Sequence, residues 1–163
     1  MTTPKPDVIR WHSCADPRLR NSGDTVSKHH DRVADLCLSL AARIGHPLIG
    51  SDLLKAARHH DAAEAVLGDM PYPAKKRFPR LAAEYAAAEA IVLAEMGLGW
   101  NLTDREEAML DLCDKADAWR WAHLHGATDT RDFQQARMVL IYKANKLGAV
   151  DWLEEVIDGR VVV

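Results

Sequence analysis

"VSKHHDRVADLCLSLAARIG", Val26 to Gly45, decides the fold class. Val33, Leu36, Cys37, Leu40 and Ile44 recur at the three- and four-residue spacing of one helical face, and Gly45 followed by Pro47 ends the run. The same period returns along the chain. A second helix starts at Ser51 or Asp52, either of which can cap it, and extends to about Leu67 with Gly68 as its stop. An alanine-rich third helix, "RLAAEYAAAEAIVLAEMG", ends at Gly97. The fourth opens on Thr103-Asp104-Arg105-Glu106, a capping-box pattern, and runs to about His125. A fifth covers Arg131 to Lys146 and a sixth Val150 to Ile157. Between Trp11 and the first helix, "HSCADPRLRNSGDT" reads as irregular loop. No convincing run of alternating β-branched residues occurs except the short tail "GRVVV". The expectation is an all-α, compact helical bundle of about six helices, with residues 1–163 forming a single domain.

Composition narrows the function classes. The chain has 163 residues, 48% hydrophobic and 28% charged, with a formal charge of −3. That acidic balance argues against a nucleic-acid polymer as partner, because such surfaces need a net basic face. No apolar run reaches the length of a membrane span, and "MTTPKPDVIRW" lacks the apolar segment of a signal peptide. The three cysteines, Cys14, Cys37 and Cys113, form no CxxC pair and fit a reducing compartment, read as cytoplasmic. Cys37 and Cys113 fall in apolar helical patterns and are expected in the core. The alanine-rich helix and the tail are the candidate surfaces for a homo-oligomer.

The chemistry concentrates in "AARHHDAAEAVLGDMPYPAKK", Ala56 to Lys76. On a continuous helix His60 and Glu64 share a face, with Asp61 next to them. Buried unpaired, such groups are costly. A divalent cation removes that cost, since imidazole and carboxylate are its natural ligands. Adjacent His and Asp cannot enclose an ion alone. The first helix offers His29 or His30, one turn before Val33, and the fourth offers Asp117 within a stripe of Leu110, Cys113, Trp121 and Leu124. Side chains from facing helices commonly build such sites. A lone His near an apolar face is more often a hydrogen-bonded core residue than a ligand, a buried ion pair explains Asp117 about as well as a metal does, and periodicity separates neither His29 from His30 nor Asp114 from Asp117.

The order His, then His-Asp about thirty residues later, then Asp on a later helix resembles the HD-domain metal-dependent phosphohydrolases. The closer similarity is to their 5'-deoxynucleotidase (YfbR-like) branch. It rests on Arg10-Trp11, on "TVSKHHDRVA" (25–34), on "HHDAAEAVLGDMPYPAK" (59–75) and on "DKADAW" (114–119). The resemblance implies the HD-domain fold and one divalent metal ion (Mn, Co, Zn, Ni or Mg) held by His29, His60, Asp61 and Asp117. It implies Glu64 and Asp69 as catalytic groups, and Arg10 and Trp11 lining the nucleotide pocket. Lys75 and the Arg side chains near the N-terminus are candidates for neutralising phosphate. Pro71 and Pro73 are read as holding the loop after Asp69 in an extended shape. Lys28 stands where the family has an acidic residue, and the Trp11–His29 segment is a few residues longer than usual. Both departures bear on substrate choice.

The expected activity is hydrolysis of a deoxynucleoside 5'-phosphate to deoxynucleoside and phosphate. The alternative is the reaction of small phage enzymes resembling this branch, which release triphosphate from dATP. A non-catalytic metal-binding HD module is a third reading, disfavoured by the presence of Glu64 and Asp69 beside the ligands. A metal nuclease is disfavoured by the acidic balance.

Overall fold

The computed structural model describes residues 7–161, leaving aside the side chain of Tyr72. Residues 1–6, from the segment read for a leader, and Val162 and Val163 of the tail lie outside the described residues. Nine helices and no strand occur among the described residues: α1 (Pro17–Arg20), α2 (Val26–Ile44), α3 (Leu53–Ala57), α4 (Glu64–Leu67), α5 (Tyr72–Arg77), α6 (Pro79–Glu95), α7 (Asp104–Leu124), α8 (Arg131–Leu147) and α9 (Val150–Ile157).

The long helices begin and end where local chemistry dictates. The Thr25 hydroxyl accepts the Lys28 N–H at the start of α2, and Gly45 closes the helix at φ 65°, left-handed backbone that a side chain would strain. Helix α7 carries the full capping box, Thr103 and Glu106 each satisfying the other's backbone N–H. Thr130 caps α8, accepting from Phe133 N–H.

Helix α2 packs on α7 and α3, and α7 in turn packs on α8 and α9. The core between them holds Val33, Leu36, Cys37 and Leu40 from α2, with Met109, Leu112, Cys113 and Ala116 from α7. Trp152, Leu153 and Val156 of α9 seal it. Burying each Leu or Val of this set contributes about 1.5–3 kcal/mol. The buried face of α7 is therefore rotated from the stripe read in the sequence. Met109, Leu112 and Trp119 point inward, while Leu124 is exposed.

Three expectations change. The helix read from Ser51 to Leu67 is broken into α3 and α4, with turns over 58–63. Within the break His59 N–H donates to Ala56 O and Ala62 N–H to His59 O, three-residue spacings that tighten the backbone. Asp61 N–H donates instead to the His30 ring at 3.3 Å, and His60 Nδ1 pairs with Ala57 O at 2.9 Å. Side chains thus take over what a regular helix would supply from its own backbone. The proline-containing stretch after Asp69 is not extended throughout. Pro71 turns into α5, and Pro73 sits in its first turn, where a missing N–H costs nothing. The loop before α2 also contains one helical turn, α1, capped by Asp16. Within α6 no described side chain is buried.

One buried carboxylate ties the start of α7 to the α2–α3 connection. Glu106, 5% exposed, accepts from Thr103 N–H and Oγ, both at 2.8 Å, from the Ser51 hydroxyl, and from His46 Nε2 at 3.3 Å. The Ser51 hydroxyl, one residue before the Asp52 N-cap, also accepts Leu53 N–H, the first amide of α3, at 3.0 Å. Hydrogen bonds from Ser51 and Thr103 lower the Glu106 pKa from 4.5 to about 2. Its stabilising contribution is therefore complete above pH 4.5 and is lost as pH falls towards 2. Glu106→Gln is expected to lose about 1–3 kcal/mol of unfolding free energy at neutral pH. Urea titrations of both proteins should show that difference shrinking as acidity rises through this window; a constant difference would contradict the assignment.

Candidate metal centre

Three separate pieces of chain deliver four ligand-type atoms to one point. His29 comes from the second turn of α2, His60 and Asp61 from the broken segment between α3 and α4, and Asp114 from the middle of α7. His29 Nε2 lies 3.1 Å from Asp114 Oδ1, 3.5 Å from Asp61 Oδ2 and 3.3 Å from His60 Nε2. His60 Nε2 lies 3.4 Å from Asp61 Oδ2 and 3.7 Å from Asp114 Oδ1. A cation with bonds of about 2.1 Å spaces its ligands about 3.0 Å apart at right angles and about 3.4 Å apart tetrahedrally. The measured separations fall around those two values, so the group is compatible with holding one divalent ion.

Both rings are aimed by a partner on their far side. His29 Nδ1 meets Asp117 Oδ2 at 2.7 Å and His60 Nδ1 meets the Ala57 carbonyl at 2.9 Å. An Nδ1–H donated to each acceptor leaves Nε2 as the lone-pair nitrogen facing the cluster, the arrangement that orients metal-binding histidines. Asp117 is itself clamped by Arg32, whose Nε and Nη2 donate to its two oxygens at 2.7 and 2.9 Å.

The electrostatics favour positive charge at the centre. Burial pushes the His29 imidazolium down, yet Asp114, Asp117 and Asp61 together hold it up to about 10. His60 is raised in the same contest between burial and the carboxylates of Asp114 and Asp61. Asp114 lies well below the usual carboxylate range, since its hydrogen bonds to His29 and His60 outweigh burial. His30 behaves oppositely. Burial and the neighbouring His60 lower it to about 3, and its neutral Nε2 accepts the Asp61 N–H. The ring that faces the cluster is therefore that of His29, while His30 fixes the turn carrying Asp61.

Of the residues expected from sequence, the structure brings His29, His60 and Asp61 together, with Asp114 beside them. Asp117, one turn further along α7, lies behind His29. Glu64, at the start of α4, has its carboxyl pushed up to about 8 by burial and by repulsion from Asp61 and Asp69, while Arg10 and Lys75 pull it down. Those five residues share one electrostatic neighbourhood. Arg10 Nη1 lies 3.8 Å from Asp117 Oδ2, and both Arg10 and the Trp11 indole donate to Asp24. Lys75 faces the Tyr85 ring at 5.7 Å. Tyr85 and Glu89 on α6 border the same acidic ground: partial burial raises both, with Asp61 and Asp69 adding repulsion. Neither was singled out in the sequence, where they sit in an alanine-rich run with no distinguishing spacing. Arg32 was likewise missed, although a charged residue inside an apolar helix is the available signal.

No family model matches the chain, and no solved structure does. Curated relatives do match over part of it. The proteins named 5'-deoxynucleotidase YfbR of Salmonella paratyphi B and of Salmonella newport are each 36% identical over 89 residues. That stretch is 52% of this chain and 42% of each relative, so the match spans less than half the length of those proteins.

The geometry distinguishes candidate ligand positions from those behind them. Isothermal titration with Mn²⁺ or Co²⁺ is expected to show uptake lost in His60→Ala and Asp114→Ala. Asp117→Asn should bind about ten- to a hundredfold more weakly, the usual cost of losing an outer hydrogen-bond partner. Uptake abolished by Asp117→Asn but kept in Asp114→Ala would exchange the two roles.

Proposed function

We propose that the chain is an HD-domain, metal-dependent phosphohydrolase that converts deoxynucleoside 5'-phosphates to deoxynucleoside and phosphate. The observation that carries this reading is the pair of imidazoles with Nε2 turned towards two carboxylates, each ring fixed from behind. The deoxynucleotide half of the proposal is supported by the 89-residue likeness to proteins named 5'-deoxynucleotidase.

In this reading His29, His60, Asp61 and Asp114 hold one divalent ion, with Asp117 supporting His29. Such an ion would polarise phosphoryl oxygens and lower the pKa of a bound water. The protein's own groups supply the rest. Hydrolysis forms a bond from water oxygen to phosphorus and breaks the P–O5' bond, so O5' must gain a proton and the attacking water must lose one. Glu64, its carboxyl pushed up by burial and by the neighbouring carboxylates of Asp61 and Asp69, is assigned to giving a proton to O5'. Asp69, close enough to repel Glu64, is assigned to positioning water and sugar. Arg10 and Lys75 offset phosphate charge, and Trp11 provides an aromatic wall for the nucleoside.

The test is product chromatography. Metal-stripped protein is incubated with dAMP, dATP or AMP, with Mn²⁺, Co²⁺, Zn²⁺, Ni²⁺ or Mg²⁺ restored singly. Deoxyadenosine and phosphate from dAMP are expected, with turnover reduced about 10²- to 10⁴-fold in Glu64→Gln, the range of a lost general acid. Intact triphosphate released from dATP, with dAMP untouched, would move the assignment to a triphosphohydrolase. No turnover with any metal would reduce the protein to a binding module.

A further inference from the structure

Asp24 has no exposed surface, and four residues converge on its carboxylate. Arg10 Nη1 donates to it at 3.2 Å, the Trp11 indole Nε1 at 3.2 Å, Arg32 Nη2 at 3.0 and 3.2 Å, and Thr25 N–H at 3.1 Å. Its backbone carbonyl accepts Arg10 N–H at 3.1 Å. The two segments are further joined by the isolated antiparallel bridge between Ile9 and Thr25 and by Val26 N–H on Val8 O at 2.8 Å. One buried side chain therefore fixes the Arg10-Trp11 corner against the start of α2.

A second, independent observation concerns the backbone. Trp11 has φ 63° and is the one non-glycine residue with positive φ among the described residues. A bulky side chain adopts that region only when its surroundings force it to. The forcing contacts are the indole hydrogen bond to Asp24, the Arg10 guanidinium 5.3 Å from the ring centroid, and the Cys14 N–H on the Trp11 carbonyl. Among the described residues Arg10 makes a single side-chain hydrogen bond, to Asp24, which leaves the rest of its fork for an anion.

The same carboxylate reaches the metal cluster by a continuous route. Arg32 donates to both Asp24 and Asp117, and Asp117 holds His29. Cutting at Asp24 does not cut this route at its far end, because Arg32 keeps two hydrogen bonds to Asp117. Losing Asp24 should therefore release the corner while leaving the ligand ring in place.

We infer that Asp24 is a positioning residue: it holds Arg10, 3.8 Å from Asp117, and the adjoining strained Trp11 beside the metal cluster, and so sets affinity for the nucleotide substrate separately from metal binding. The inference rests on the phosphohydrolase reading for its substrate, but the hold on the corner can be measured without activity.

The experiment compares the whole chain with Asp24→Asn and with Trp11→Phe, which removes the indole donor to Asp24 together with part of the aromatic surface. In Asp24→Asn, KM for dAMP (or dATP, whichever the parent protein hydrolyses) should rise roughly ten- to a hundredfold, the effect of lost charge-assisted hydrogen bonds. The kcat and the Mn²⁺ affinity should stay near the parent values. Trp11→Phe should move KM in the same direction. Hydrogen exchange of the Trp11 indole N–H, followed by NMR, should accelerate in Asp24→Asn while amides in the middle of α2 stay protected. Unchanged exchange, unchanged KM, or Mn²⁺ affinity falling in step with KM would overturn the proposal and leave Asp24 a general stabiliser. If Asp24→Asn does not fold, an unchanged KM in Trp11→Phe overturns it alone. If the parent protein hydrolyses neither nucleotide, the phosphohydrolase reading fails, and the exchange result still decides whether Asp24 holds the corner.

Discussion

The hydrogen bond between His29 Nδ1 and Asp117, 2.7 Å long and fully enclosed, sets what the site can be. It turns His29 Nε2 towards Asp61 and Asp114, and it gives Asp117 a reason to be buried between α2 and α7. Without Arg32 that carboxylate would be a costly isolated charge; with both oxygens held by the guanidinium it is paired on every side. The apolar contacts of Cys37, Leu40, Leu112 and Cys113 bring the two helices together. The polar chain running from Asp24 through Arg32 and Asp117 to His29 fixes their register where the chemistry would occur.

The broken segment between α3 and α4 follows from the same requirement. A regular helix would project His60, Asp61 and Glu64 from one rigid ladder. The tightened turns let His60 and Asp61, adjacent in sequence, both face the cluster. The ordinary backbone partners are replaced by Ala57 O for the His60 ring and by the His30 ring for Asp61 N–H. Such substitutions tend to mark sites where local regularity yields to function.

Much of this was legible in the sequence, and the unread parts have identifiable causes. Helix α2 and helix α9 were bounded correctly because Gly45 and the Val150–Ile157 apolar pattern act locally, and the α7 start was announced by its capping box. The break after Ala57 was invisible, since the contacts that pay for it come from α2, about thirty residues earlier. Asp114 and Asp117 lie three apart on one helix, so both point broadly the same way, and only the rotation of α7 on its core decides which meets Asp61. That rotation depends on Met109, Leu112 and Trp119 packing, which periodicity resolved only to within a residue or two. The α5 turn was missed because proline stiffens an extended loop and opens a helix with equal ease. The role of Asp24 needed the fold, because its partners Arg10, Trp11 and Arg32 lie on both sides of it in sequence.

The most direct test of the account is anomalous diffraction from crystals of the protein grown with Mn²⁺. One peak is expected, bonded to His29 Nε2, His60 Nε2, Asp61 and Asp114 at about 2.1 Å, with Asp117 remaining on His29 Nδ1. A peak elsewhere, or none at this cluster in Mn²⁺-saturated crystals, would contradict that assignment.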